Sequence, residues 1–268
     1  MSSYRQFHGL CAPAFGKAIG RSNLLVYPHL EEFADEMDTL LEDGGVGELS
    51  GEMGIGKTTA LRWWLGRLEE RSCQVCYAGS NRHATALLQG LVENLGVSPA
   101  RHRAALLRQV SQRVERAFHE QRKKTLVILD DAHLLEDGLL EDMRLLTNFE
   151  MDAQDALVLL LVGHPALRKK LQQPVHLALW DRLRMRYRLE GLSRDETSAY
   201  IDHHLRVAGG NPELFTADAR DAVFEAAQGI PRRINTLAML ALKKSASRRV
   251  TPIDGAFVAT VLSLVKSN

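Results

Sequence analysis

Val46-Gly47-Glu48-Leu49-Ser50-Gly51-Glu52-Met53-Gly54-Ile55-Gly56-Lys57-Thr58-Thr59 is the stretch whose reading decides the fold. Residues 46–50 form a short strand candidate that runs into G-x-x-x-x-G-K-[ST] at 51–58, and residues 58–70 hold good helix formers throughout. Strand, glycine-rich loop and helix in that order make a phosphate-binding loop. Glycines let the backbone curl until successive N–H groups and the following helix N-terminus face phosphate oxygens. In that pattern Lys57 reaches the outer phosphates and Thr58 offers a hydroxyl to Mg²⁺.

Working outward, residues 30–41 place Leu30, Phe33, Ala34, Met37, Leu40 and Leu41 at three- and four-residue steps, an amphipathic helix that stops at Asp43-Gly44-Gly45. Downstream, strands are predicted at 74–78, 125–129 and 157–162, with a last short one at 187–189. Helices are predicted at 84–95 and 104–121. Strands alternating with helices on this scale imply an α/β fold with a parallel sheet and right-handed crossovers. After Gly191 only helical periodicity remains, at 193–208, 216–228, 230–247 and 251–265, with Ser193, Thr216 and Thr251 as N-caps. The expected organisation is an N-terminal segment at 1–45, an α/β nucleotide-binding domain at 46–190 and a small helical lid at 191–268.

The 268 residues are 45% hydrophobic and 25% charged, and 34 Lys+Arg against 33 Asp+Glu leave a net charge of +1. That balance excludes disordered, collagen-like and coiled-coil classes. Cys11, Cys73 and Cys76 make an odd count with no framework spacing, so a reducing, cytoplasmic setting is expected, and Cys73 and Cys76 read as structural. No apolar run approaches the roughly 20 residues of a membrane span, and the polar start lacks a signal-peptide profile, so no membrane partner is expected.

Leu126-Val127-Ile128-Leu129-Asp130-Asp131 is an apolar strand that delivers two carboxylates at its C-terminal end, where ligands of open α/β sheets bind. Asp130 is expected to hold Mg²⁺ and Asp131 to orient or deprotonate the attacking water, since phosphoryl transfer mostly needs positioning and charge neutralisation. His164 follows a strand and is placed to sense the outermost phosphate or its water; a histidine that satisfies a turn before Pro165 is the competing reading. Gly229-Ile230-Pro231-Arg232-Arg233 opens a helix and brings an arginine toward phosphates. Arg182, Arg184, Arg186 and Arg188 stand at every second position, and Arg182 is the preferred arginine finger for a neighbouring subunit's nucleotide, with Arg184 and Arg186 as substitutes. Two basic stretches suit a phosphate backbone or a solvated helix face equally well. One runs from 101 to 124 with a local net of +6; the other holds Lys243, Lys244, Arg248 and Arg249.

Beyond the loop, the chain carries Tyr4-x-x-Phe7-x-Gly9-Leu10-x-x-Pro13-x-Phe15, Asp130-Asp131-Ala132-His133, Val162-Gly163-His164-Pro165-Ala166-Leu167, Tyr187-x-Leu189-x-Gly191-Leu192 and Gly229-x-Pro231-Arg232-x-Ile234-Asn235. With these blocks it resembles the AAA+ ATPases, and within them the ExeA-like group that includes transposition regulators of the TnsC, MuB, IstB and TniB type. The resemblance implies an ATPase that uses ATP and Mg²⁺. Gly51, Glu52, Met53, Gly54, Ile55, Gly56, Lys57, Thr58 and Thr59 would lie on the nucleotide, and Thr58 and Asp130 on the metal. Asp131 would stand in the catalytic-glutamate position, one methylene short, with His164 at sensor one in place of the usual Gln or Asn, Arg232 at sensor two and Arg182 as finger.

ExeA-like secretion proteins tend to continue into a membrane segment, and this sequence stops first, so the transposition branch is expected. Members of that branch look like homo-oligomers, rings or filaments, on double-stranded DNA that hand target sites to a transposase, with or without an adaptor. Asn81, Arg82, His83, Thr85, Arg101 and Arg103 are then the DNA candidates, with sequence-independent phosphate contacts. The alternative is an ExeA-like assembly ATPase of a secretion or envelope system. A small-molecule phosphotransferase shares the loop but does not need the Gly229-Ile230-Pro231-Arg232 element or a helical lid.

Overall fold

The computed structural model describes residues 4–16, 20, 23–68, 73–79, 83–148 and 155–266. The chain divides into two compact units, residues 29–52 with 64–189, and residues 1–28 with 53–63 and 190–268. The contact division is therefore not collinear with the chain, and the first 28 residues group with the C-terminal helices.

In the first unit, β1 (Gly45–Ser50), β2 (Cys73–Ala78), β3 (Lys124–Leu129), β4 (Leu157–Gly163) and β5 (Leu183–Arg188) form one parallel sheet in the order β2-β3-β4-β1-β5. The apolar runs predict the two central strands well because both faces are covered: β4 is buried at all seven positions and β3 at five of six. On one face, α4 (Ala84–Asn94), α5 (Arg103–Gln121) and α6 (Asp137–Leu146) pack Leu88, Val110 and Leu140 against Val46, Val127 and Leu159. On the other lies α2 (Pro28–Asp43), which buries Leu30, Phe33, Ala34, Met37 and Leu40 as its periodicity predicts. Gly47 allows that close approach, since a Cβ there would stand 2.5 Å from a Leu40 methyl.

Three helices of this unit escape the sequence reading: the ten-residue α6, and the short α7 (Ala166–Leu171) and α8 (Leu177–Trp180), each under two turns. The last strand also differs, starting at Leu183 rather than 187. Edge pairing to β1 alone supports it, so charged residues alternate with Leu183 and Met185 and no apolar run announces it. Cys73 and Cys76 are buried on the edge strand β2, and burial pushes the Cys76 thiol up to about 11, which keeps it protonated and inert.

The second unit holds α1 (Tyr4–Phe7), most of α3 (Lys57–Leu65), α9 (Arg194–Val207), α10 (Ala217–Ala227), α11 (Pro231–Arg248) and α12 (Gly255–Lys266). Its core joins Leu10, Ala14 and Phe15 of the N-terminal segment to Ile201, Leu205, Phe215, Val223, Ile234 and Val258. Ser193 caps α9 through a reciprocal capping box with Glu196. Thr216 stands at the α10 N-cap, but its hydroxyl donates to Asp218 and Ile253 instead of accepting from the helix. The expected cap at Thr251 is corrected: α12 begins at Gly255 and Asp254 Oδ1 accepts the Phe257 N–H at 2.8 Å, because Asp254 directly precedes the helix, whereas Thr251 lies four residues before it. Helix α3 likewise ends at Leu65, short of the expected 70, and residues 69–72 lie outside the described residues.

Candidate functional site

All five strands are parallel, so their C-terminal ends share one edge of the sheet. β1, β3 and β4 deliver Gly51, Asp130 and His164 to it. Asp130 accepts twice, from the Asp131 N–H at 2.9 Å and from the Tyr77 hydroxyl at 2.6 Å. Burial and the negative charge of Asp130 raise the Tyr77 pKa far above its ordinary value, so the phenol remains a donor. Asp131 sits in the left-handed region at φ 54°, a conformation that Asp tolerates better than most residues. Tyr77 was not singled out in the sequence; its signal is its place on β2 opposite Ile128, two residues before Asp130.

His164 Nε2 lies 3.2 Å from Glu52 Oε2, and its backbone N–H points to His133 Nδ1 at 3.4 Å. The sensor-one candidate thus meets a carboxylate of the loop itself. One turn further, Arg168 on α7 donates through Nε (3.0 Å) and Nη2 (2.7 Å) to Glu48 Oε2, a carboxylate with no exposed surface in the middle of β1. The sequence reading missed this pair as well, although an acid inside an apolar strand signals a buried cation partner. Ser50 Oγ, two residues on and also sealed, has no partner among the described residues.

Residues 53–63 belong to the helical unit. Gly54 and Gly56 have φ of 84° and 110°, where only glycine rests without strain. Among the described residues the backbone N–H groups of Met53, Gly54, Ile55, Gly56, Thr58 and Thr59 have no acceptor, and the first helical bond from the loop is Ala60 N–H to Gly56 O at 2.8 Å. A row of unsatisfied donors at a helix start is the chemistry that phosphate oxygens complete, so the loop fits a nucleotide's phosphates. Arg232, at the start of α11, donates its backbone N–H to Gly54 O at 3.2 Å, and its side chain lies over Gly54. The sensor-two candidate and the loop are therefore in contact.

The remaining candidates are scattered. Arg182 precedes β5 and donates to Thr147 Oγ1 at 3.2 Å within its own unit. Arg184 binds the Asp43 carbonyl and faces Asp155, and Arg186 stacks 4.3 Å over Trp180 and donates to its carbonyl. Of the DNA candidates, Asn81 and Arg82 lie outside the described residues, while His83, Thr85 and Arg101 are exposed. Arg103 is held by Asp142 at 2.6 Å and by the Gly138 carbonyl at 2.8 Å.

Residues 40–171 match the family model described as "AAA domain". The General secretion pathway protein A of Aeromonas hydrophila is 32% identical over 241 residues, 89% of this chain, and the chain spans 44% of that relative's length. Among solved structures, the Aeropyrum pernix ORC2 protein in its ADPNP-ADP complexes superposes with a TM-score of 0.68 at 17% identity, covering 93% of this chain and 70% of that one. The Aeropyrum pernix ORC1 protein in complex with DNA gives 0.65 at 17% identity, covering 91% and 66%. The expected ATPase class is supported at the level of family and fold. Residues 40–171 of this chain match an AAA domain, and the chain has the AAA+ phosphate-loop fold.

Proposed function

We propose that the chain is an ATP-driven assembly ATPase that works as a homo-oligomer on a multiprotein complex of a secretion or envelope system. The single observation that carries the nucleotide part is that the N–H groups of Met53, Gly54, Ile55, Gly56, Thr58 and Thr59 have no acceptor among the described residues, with Arg232 seated on Gly54. The assembly part is supported by 32% identity to a general secretion protein. That relative favours the secretion reading over the transposition branch.

In this reading the loop N–H groups and Lys57 hold the phosphates, and Thr58 and Asp130 supply oxygens to Mg²⁺, which neutralises phosphate charge. Tyr77 holds Asp130 in one rotamer, leaving its carboxylate oriented before ligand arrives. Asp131 accepts a proton from, or orients, the attacking water. His164 reports on the outer phosphate through its contact with Glu52, and Arg232 adds positive charge at the loop. A guanidinium from a second copy completes the charge neutralisation, and Arg182, Arg184 and Arg186 are the candidates. A cytoplasmic location belongs to the same proposal; among the described residues no helix is long and apolar enough to cross a membrane.

A second reading, a regulator that assembles on double-stranded DNA and serves a transposase, is favoured by its own observation: six exposed cations of one helix and its cap carry no carboxylate partner among the described residues. The two readings separate in cells. A strain lacking the gene is complemented with the wild type or Lys57→Ala, and exported protein and transposition frequency are both measured. Loss of export with Lys57→Ala supports assembly. A change in transposition alone moves the protein to the DNA branch, and full complementation by Lys57→Ala overturns the nucleotide reading.

A further inference from the structure

Resting on the second reading, we infer that the exposed face of α11 is a binding surface for the phosphate backbone of duplex DNA. Residues 229–253 contain Arg232, Arg233, Lys243, Lys244, Arg248 and Arg249 and no acid at all. All six cations are exposed. None meets a carboxylate among the described residues, and Arg248 stands over the Phe257 ring at 5.9 Å. Arg232 is occupied at the phosphate loop, which leaves five for an outside ligand.

The stretch with the larger sequence charge offers less. On α5 and its flanks, Arg103 is bound to Asp142, Arg113 to the Leu95 carbonyl and Arg116 to Glu120. Lys124 binds the Leu41 and Glu42 carbonyls. Arg103, Arg113 and Lys124 thus tether elements of their own unit, while Arg116 pairs along its own helix. Among the described residues, Arg233, Lys243, Lys244 and Arg249 hold no side-chain partner.

Geometry selects a long polyanion. Arg233 and Lys244 are eleven residues apart, about three helical turns, so they share a face, and Arg248 follows one turn later. From Arg233 to Arg248 the charged line is about 22 Å long at roughly 1.5 Å per residue. A single small phosphate ligand cannot span it. Duplex DNA carries one charge per roughly 1.7 Å of axis, so such a length of duplex presents about a dozen. A bilayer would require apolar side chains to insert beside the cations, but Ile234, Leu237, Ala238, Ala241 and Leu242 are all consumed by the unit's own core. The face offers charge without an apolar anchor, which suits a phosphate backbone read without sequence preference.

The test uses the full chain, a labelled 30-base-pair duplex and fluorescence anisotropy at 50 and 200 mM salt, with ATP present. Lys243→Ala/Lys244→Ala is expected to weaken binding at least tenfold at 50 mM and to lower the slope of log affinity against log salt by about 2, near 0.9 per lost phosphate contact. Arg101→Ala/Arg108→Ala, one just before α5 and one within it, is expected to change binding less than twofold. Unchanged affinity of Lys243→Ala/Lys244→Ala for a fluorescent ATP analogue shows that the variant is folded, and Arg248→Ala/Arg249→Ala gives an independent second variant. If the wild type binds duplex and both double variants bind it equally well, the surface is wrong and the DNA reading survives. If the wild type shows no binding at 50 mM, the DNA reading fails and takes the surface with it. Variants that lose only pelleting with anionic vesicles, or only self-association, assign the face to lipid or to a second copy and overturn the proposal.

Discussion

The backbone N–H of Arg232 donates to the carbonyl of Gly54 at 3.2 Å, and a Cβ placed on Gly54 would stand 2.6 Å from the Arg232 Cβ. One glycine therefore serves two ends: it turns the loop at φ 84° and leaves room for the helix that brings the arginine. Gly54→Ala is expected to lower affinity for a fluorescent ATP analogue at least tenfold, since strain of about 1 kcal/mol at positive φ adds to a backbone-level collision. Gly56→Ala carries the strain, at φ 110°, without the collision, because nothing lies within 4 Å of its Cβ. Its loss should be severalfold smaller. Equal losses for the two variants would remove Arg232 from the argument.

Tyr77→Phe deletes one hydroxyl that donates to Asp130 at 2.6 Å. Tyr77 is 44% exposed, so the packing loss is small and the effect falls on the carboxylate's orientation. ATP turnover is expected to fall about three- to tenfold, near 1 kcal/mol for one charge-assisted hydrogen bond. Half-saturation by Mg²⁺ should rise while the melting temperature stays within about 2 °C. A Mg²⁺ titration of turnover checks this, and an unchanged half-saturation would assign Tyr77 to structure alone.

Arg168→Ala leaves Glu48 sealed in the sheet with no cation, because this carboxylate has no exposed surface and Arg168 is its partner. Breaking a buried pair from one side costs about 3–5 kcal/mol, far above the value of a surface ion pair. Arg168→Ala/Glu48→Leu replaces both charges with apolar volume and should recover most of that loss. Urea denaturation midpoints of the two variants give the comparison, and the expected order is wild type near the double variant, with the single variant well below.

His204 is enclosed by Phe15, stacked at 5.3 Å, and by Tyr200 at 4.3 Å. Burial, with a smaller contribution from His203, pushes its pKa down to about 4. The folded state thus prefers the neutral ring, and its contribution is complete above the unfolded value of 6.5 and is lost as pH falls from there toward 4. Two and a half pH units at about 1.4 kcal/mol each give roughly 3 kcal/mol for the helical unit. Urea midpoints at pH 7, 5.5 and 4.5 should decline for the wild type, and His204→Phe should flatten most of that decline. A parallel decline in both proteins would place the acid sensitivity elsewhere.

Sequence alone determined the elements whose cause is local. The phosphate loop follows from glycines at 51, 54 and 56 between an apolar strand and a helix start, and the central strands from unbroken apolar runs that only a doubly covered sheet can bury. Helices α2, α9, α10 and α11 follow from three- and four-residue periodicity, because burial of one face is the main support of each. Edge strand β5 was misread at its start for the opposite reason: pairing from one side stabilises it, and its exposed arginines hide the alternation.

Tertiary structure alone decided which charges are free. Arg103, Arg113, Arg168, Arg182 and Lys124 look in the sequence like the exposed cations of α11, yet each is bound to a group between 18 and 120 residues away in the chain. The same holds for Tyr77 with Asp130 and for Glu52 with His164. A hydrogen bond depends on distance in space at the scale of 3 Å, and a residue's type and its neighbours along the chain carry no record of what the parallel sheet brings beside it.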